Sequence, residues 1–192
     1  MSAVIKQKHT PQQKLRKCKA PGCENMYTPY STLSRACSPK CAFVLVQIAK
    51  EKKERKETRE RKRALRTKGE WLKLAQAKFN KFIMLRDKHL PCISCGTMNP
   101  NIQYAAGHYR SVGACPELRF NEDNCHKQCN SNCNNFLSGN PIEYRINLVK
   151  RIGLDRVVEL EGPHEPKHYT IPDIQEIRER YRLKVKAMEK AV

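Results

Sequence analysis

Eight of the ten cysteines fall into four close pairs, Cys18/Cys23, Cys37/Cys41, Cys92/Cys95 and Cys129/Cys133, and this spacing limits the chain more than any other feature. Met1 to Gln13 lacks the apolar stretch of a secretory signal, and no run approaches the roughly 18 apolar residues of a spanning helix. The expected location is therefore the cytoplasm, with no membrane partner. A reducing cytosol keeps thiols unoxidised, so close pairs read as metal ligands rather than disulfides. Two four-cysteine structural zinc sites are expected, Cys18, Cys23, Cys37 and Cys41 in one and Cys92, Cys95, Cys129 and Cys133 in the other. Cys115 and Cys125 are left over and read as small buried residues.

The rest of the composition agrees with small modules on a polar connector. Of 192 residues only 39% are hydrophobic and 7% aromatic, too few for one large core. Lys and Arg number 38 against 19 acidic residues, a net charge of +19 that points to a polyanionic partner. An α+β fold in three parts is expected: a four-cysteine zinc finger over 1–49, a basic charged helix over 50–69, and a second zinc-supported module over 70–192. In the first, Pro21 and Gly22 turn the chain between Cys18 and Cys23, while Ser38 and Pro39 signal a helix start that places Cys41 on its opening turn. That finger helix runs through Ile48, as in a treble clef or ribbon. From Lys50 to Lys73 stand twelve basic and five acidic residues, with Glu51, Glu54, Glu57 and Glu60 at helical pairing distance from Lys and Arg. Without an apolar stripe such a helix is either a solvated spacer or lies along a polyanion, with Arg59, Arg61, Lys62 and Arg63 as candidate contacts.

Thr67 and Glu70 form a capping-box pattern before a core-facing helix that carries Trp71, Ala75, Phe79 and Ile83 and ends near Asp87. Two strands are expected over Gln103–Tyr109 and Glu117–Gln128, then a polar turn or short helix stopping at Gly139. Asn140 and Pro141 start another helix that ends at Gly153, and Val157, Val158 and Leu160 form a short apolar segment. A final helix over Thr170–Lys190 presents Ile174, Ile177, Tyr181, Val185 and Met188, a stripe that packs on its own module or, less simply, forms a dimer seam.

Between the cysteine pairs of the second module lie Gly107-His108-Tyr109-Arg110, Arg119-Phe120-Asn121, Asn124-Cys125-His126-Lys127-Gln128 and, after Cys133, Asn134. Four thiolates need only turns around them, so these polar residues ask for chemistry of their own. Phosphodiester hydrolysis is one candidate, because it uses a neutral imidazole to deprotonate water, a metal ion at the phosphate, and cations for flanking phosphates. The order resembles that of HNH, or ββα-metal, nucleases, in which a strand His is the general base, a hairpin Asn steadies it, and a His or Asn after the last cysteine binds the catalytic metal. The resemblance assigns His108 as base, Asn124 as hairpin residue and Asn134 as ligand to a catalytic Mg²⁺ or Mn²⁺. His126 is a further catalytic or phosphate-contacting candidate beside a structural reading, and Arg110, Arg119 and Lys127 are candidate DNA contacts. His89, His164 and His168 read as ordinary surface or packing residues. Two departures stand out: Gly107 occupies the position where many HNH nucleases have Asp or His, and the last pair is Cys-x3-Cys.

More closely, AGHYR, LRFNEDNCHKQC, CN and SGN before a YR-bearing helix are similar to the NinG, or Rap, proteins of lambdoid bacteriophages. The resemblance implies a phage recombination endonuclease in the host cell cytoplasm, cutting branched DNA such as D-loops and Holliday junctions. It also implies company, either as a homodimer for paired cuts or with host or phage recombination proteins. A non-catalytic zinc protein that binds DNA or RNA, or an adaptor for host factors, accounts equally well for charge and cysteines. His108, Asn124 and Asn134 separate the two readings.

Overall fold

Ser38 adopts extended backbone and its hydroxyl accepts the Cys41 N–H at 3.3 Å, so a helix starts at Pro39, where the missing donor costs nothing. The computed structural model, an α+β fold, describes residues 14–190; the Met1–Gln13 stretch read above for a leader lies outside them. The chain divides into two compact units, residues 1–65 and 66–192. In the first, β1 (Arg16–Lys17) pairs antiparallel with β2 (Met26–Tyr27), and α1 spans Pro39–Ala64. The expected finger helix and basic helix are thus one helix of 26 residues, about 39 Å long. Lys53–Glu57 and Lys56–Glu60 ion pairs at 3.9 Å support its middle, though each exposed pair adds only about 0.3–0.5 kcal/mol. Arg61, Lys62 and Arg63 occupy the last turn, where the carbonyl end of the helix dipole favours cations. No residue of α1 is buried.

The second unit opens with α2 (Lys68–Arg86). Thr67 accepts the Glu70 N–H while Glu70 accepts the Thr67 N–H at 2.7 Å, a complete capping box. Trp71, Ala75, Phe79, Phe82 and Ile83 recur at helical spacing on one face and pack against Ile174, Ile177, Tyr181 and Val185 of the last helix, α5 (Ile171–Lys190). The Phe79 and Tyr181 rings meet edge to face at 4.9 Å. Burying each such large apolar side chain stabilises the unit by about 1.5–3 kcal/mol, and truncating Phe79 to Ala would cost about 3–5 kcal/mol. The α5 stripe packs within its own unit.

Next, β3 (Tyr104–His108) and β4 (Cys125–Cys129) form an antiparallel pair with Gly107 opposite His126 and His108 opposite Cys125. The second strand is five residues, not the expected twelve. Pro116 begins a 3-10 turn over Pro116–Leu118, and the Asn121 side-chain oxygen accepts the N–H groups of Asp123 and Asn124, folding that stretch into a turn. A single π turn over Asn130–Phe136 follows, then α3 (Pro141–Ile152), α4 (Leu154–Glu161) and α5 (Ile171–Lys190). The short apolar segment around Val157 is therefore helical, and Gly153, at φ +89, makes the corner between α3 and α4. Ile93, Cys115, Leu118, Tyr144, Leu148, Val157 and Leu160 form a second core. Among the described residues no helix is long and apolar enough to cross a membrane.

Candidate functional site

The four cysteine pairs close into two tetrads, Cys18, Cys23, Cys37 and Cys41 in the first unit and Cys92, Cys95, Cys129 and Cys133 in the second, with the four sulfurs of each within 4.8 Å of one another. A tetrahedral site with metal–sulfur bonds of about 2.3 Å has edges of about 3.8 Å. The sulfurs of Cys23 and Cys37 are 3.6 Å apart, those of Cys37 and Cys41 3.7 Å, and those of Cys95 and Cys129 3.4 Å. Both tetrads can therefore hold a metal ion such as zinc, and four thiolates leave no position for a reacting water. The surroundings divide the thiols before any cation is bound. N–H groups of Ala20 and Cys37 draw the Cys18 thiol down to about 7, while burial and its neighbour Cys95 push Cys133 up to about 12. A bound cation removes these thiol protons, so metal binding is pH-dependent and folding is coupled to it. Cys115 and Cys125 lie outside both tetrads and are buried.

The second tetrad anchors one end of the β3–β4 hairpin, and His108 stands at the other end, paired with Cys125. Its ring stacks on Phe79 at 6.1 Å, and its Nε2 lies 3.0 Å from the carbonyl oxygen of Arg119. A carbonyl only accepts, so Nε2 carries the proton and the lone pair belongs to Nδ1, which lies 3.8 Å from the buried Cys125 Sγ. Burial lowers the His108 pKa, and the half-buried imidazole is neutral at pH 7. Asn124, fully buried, holds the chain just beyond: its side-chain oxygen accepts the Arg110 N–H at 2.8 Å, and its amide donates to the carbonyls of Arg110 and Leu118 at 3.0 and 3.3 Å. These bonds tie the end of the hairpin connection to its start at Arg110 and to its middle at Leu118. Asn134, half-buried, lies in the π turn directly after Cys133, and that turn packs against both strands.

Gly107 has a packing reason. A Cβ there would lie 2.1 Å from the side-chain oxygen of Gln128, whose buried amide donates to Ser94 Oγ and to the Gly139 carbonyl, both at 2.6 Å. The Asp or His found at this position in many HNH sequences has no room here.

His126, opposite Gly107, is buried beside Tyr144, whose hydroxyl is 3.4 Å from Nδ1. Burial, with the Arg86 charge adding to it, pushes its pKa down to about 3. Lys127 is also buried: its Nζ donates to the Lys88 carbonyl at 3.0 Å and lies over the Tyr104 ring. Arg110 is half-buried with its Nε 3.4 Å from Cys115 Sγ, and Arg119, also half-buried, lends its carbonyl to His108. Arg59, Arg61, Lys62 and Arg63 lie exposed near the end of α1. The hairpin thus brings His108, Asn124, Arg110 and Arg119 together, and places His126 and Lys127 inside the fold.

Other residues that shape this region carry no motif. Asp87, 1% exposed, accepts from Arg86 at 2.7 Å and from the Lys127 N–H at 2.9 Å. Burial alone would raise its carboxyl, but the Arg86 bond and the Lys127 N–H outweigh that and hold it below the usual range. Tyr144 donates to the Gly107 carbonyl at 2.9 Å, and Glu161 receives Tyr109 and a two-pronged contact from Arg145. The one available signal was a carboxylate at the end of an apolar helix followed by no turn glycine, which does not reveal its partner forty residues on.

A strand pair leading into a short helical turn, joined to a thiolate tetrad and carried on a strongly basic chain, defines a small α+β protein with two four-cysteine clusters that could hold metal ions such as zinc. The model of the family described as "Bacteriophage Lambda NinG protein" matches residues 10–191. The chain is 39% identical over 190 residues to Protein ninG of Escherichia phage lambda, covering 89% of this chain and 92% of the relative. The same figures hold for Protein ninG of Salmonella phage P22, and identity is 46% over 126 residues with that of Escherichia phage 933W, 66% of this chain and 62% of the relative. No solved structure is significantly similar. The chain belongs to the NinG family of bacteriophage proteins.

Proposed function

We propose that the protein is a phage recombination endonuclease that cuts branched DNA, D-loops and Holliday junctions among them, in the host cytoplasm by metal-assisted phosphodiester hydrolysis. The observation that carries this reading is the state of His108: neutral, held through Nε2 by the Arg119 carbonyl, its lone pair on Nδ1. That is the protonation state a general base needs to take a proton from an attacking water. Asn124 bonds the Arg110 backbone and the Leu118 carbonyl, one residue before the Arg119 carbonyl that orients the ring. Arg110 and Arg119 flank the strand end as phosphate contacts.

Among the described residues, the only groups of three or more His, Cys, Asp or Glu able to hold a metal are the two tetrads. A catalytic Mg²⁺ or Mn²⁺ would therefore rely on few protein ligands, which suits ions that keep several waters and take phosphate oxygens. The carboxamide oxygen of Asn134 is the hard neutral donor beside the hairpin that would hold it. Such an ion would supply charge stabilisation at the phosphate and the departing oxygen. Zinc ions held by the tetrads would be structural, because four thiolates close the coordination sphere.

The test is cleavage by purified protein of junction, D-loop, duplex and single-stranded DNA, with and without Mg²⁺. Cutting of the branched substrates is expected, with His108→Ala lowering it by at least about a hundredfold while DNA binding stays intact. Tight binding without cleavage by the wild type would instead support the non-catalytic DNA-binding or adaptor reading.

A further inference from the structure

We infer that the first unit carries a docking trough for an acidic, amphipathic peptide segment of another protein. A cavity of about 780 Å³ is floored by Leu33, Ala42, Leu45, Val46 and Ala49. A second, of about 330 Å³, shares Arg35, Leu45 and Ala49 with it and continues it to Lys19 and Lys52. The two form one trough running from the β2 end of the finger along the first three turns of α1. Its apolar wall is open to solvent, Leu33 being 83% and Val46 62% exposed. Clustered exposed apolar residues on so polar a chain mark an interaction surface.

Charge selects the occupant. Lys19, Arg35 and Lys52 line the trough, and among the described residues no acidic side chain lines either cavity. The stretch 1–13 carries Lys6 and Lys8 without an acidic residue, and a second copy would bring the same net +19, so both occupants from this protein are repelled. DNA would satisfy the cations and could stack on Tyr27 and Tyr30, which also line the larger cavity, but it would leave the aliphatic floor of Leu33, Leu45 and Val46 without an apolar partner. A peptide with carboxylates beside two or three apolar anchors matches both the floor and the rim, as amphipathic segments in grooves do.

The test uses the full-length, zinc-loaded protein against a displayed library of random twelve-residue peptides, followed by binding of the most enriched peptide in synthetic form. Enriched peptides should be net acidic with at least two large apolar residues, and Val46→Glu and Arg35→Glu should each weaken binding by at least about tenfold. Both positions are exposed, and unchanged zinc content and helix signal would verify folding; Leu33→Glu is the alternative should either fail. The proposal is overturned by enriched peptides without acidic bias, or by a peptide that binds these variants as tightly as wild type. Displacement of the peptide by a twelve-nucleotide oligo-dT with the same dependence on Arg35 and Val46 would make the trough a nucleic-acid site. A change from dimer to monomer with Val46→Glu would make it a self-association face. None of these readouts involves cleavage, so the endonuclease reading stands or falls separately.

Discussion

His126 and His108 sit one step apart across the same strand pair, and their surroundings separate them chemically. His108 is only half-buried, with one nitrogen unprotonated, whereas His126 is 3% exposed and packed on Tyr144. Its folded pKa of about 3 lies below its usual 6.5, so the unfolded chain takes the proton first as pH falls. The stability that depends on a neutral His126 is complete above about pH 6.5 and is lost between there and about pH 3, by about 1.4 kcal/mol per pH unit. Asp87 acts in the same direction but only below its ordinary 3.8, so the two windows barely overlap. Urea unfolding at pH 7 and pH 5 should show about 2 kcal/mol lost by wild type that His126→Gln does not lose; equal losses in both would remove His126 from the acid response. This contrast was not visible in the sequence, where both histidines stand in one polar motif. Strand register decides it, and Gly107 with Gln128 shows why: a small residue reads as a turn or a gap until the side chain filling the gap is known. Lys127 follows the same logic, since a lysine stem packs as readily as it reaches solvent.

Helix starts were the most legible elements, because Ser38 and the Thr67–Glu70 pair satisfy local donors with local groups and Pro141 opens its helix without needing one, although Asn140, at φ +45, makes no side-chain cap. The strand pair was legible only in part, because its second strand begins where the Asn121 turn ends and hydrophobicity does not mark that point. The continuity of α1 was likewise hidden by a change of composition at Lys50 that carries no helix-breaking residue. Its consequence is directional: on a helix, Arg59, Lys62 and Arg63 share one face and Arg61 points elsewhere. If that face lies along duplex DNA, reversing all four charges should flatten the slope of log affinity against log salt by about two to three units, at about 0.9 per phosphate. Preference among branched and linear DNA should stay, because phosphate contacts position without specifying. A slope that moves by less than about one unit, with helix content unchanged, would make this part of α1 a solvated spacer.

For the molecule as a whole, the two units are held together internally by different means. The described part of the first buries little beyond Cys18, Ala20 and Ser34, so its tetrad stands in for a core, as expected where a module is too small to bury enough apolar surface. The second has the α2–α5 cluster and the Tyr144–Leu148 cluster besides its own Cys92, Cys129 and Cys133 grouping. Purified protein should therefore carry close to two zinc ions per chain, one for each tetrad. Cys18→Ser should lose one of them and the hydrogen-exchange protection of residues 14–45, leaving α2 and α5 as protected as before. Cys92→Ser should lose the other ion and release β3, β4 and the π turn, since Cys92 Sγ also accepts the Cys129 N–H at 3.3 Å, while α2 against α5 keeps most of its protection. Exchange followed by mass spectrometry reads each element separately. One zinc ion per chain in the wild type, or loss of α2 and α5 protection from the Cys18 change alone, would show that a single metal-dependent structure spans both units.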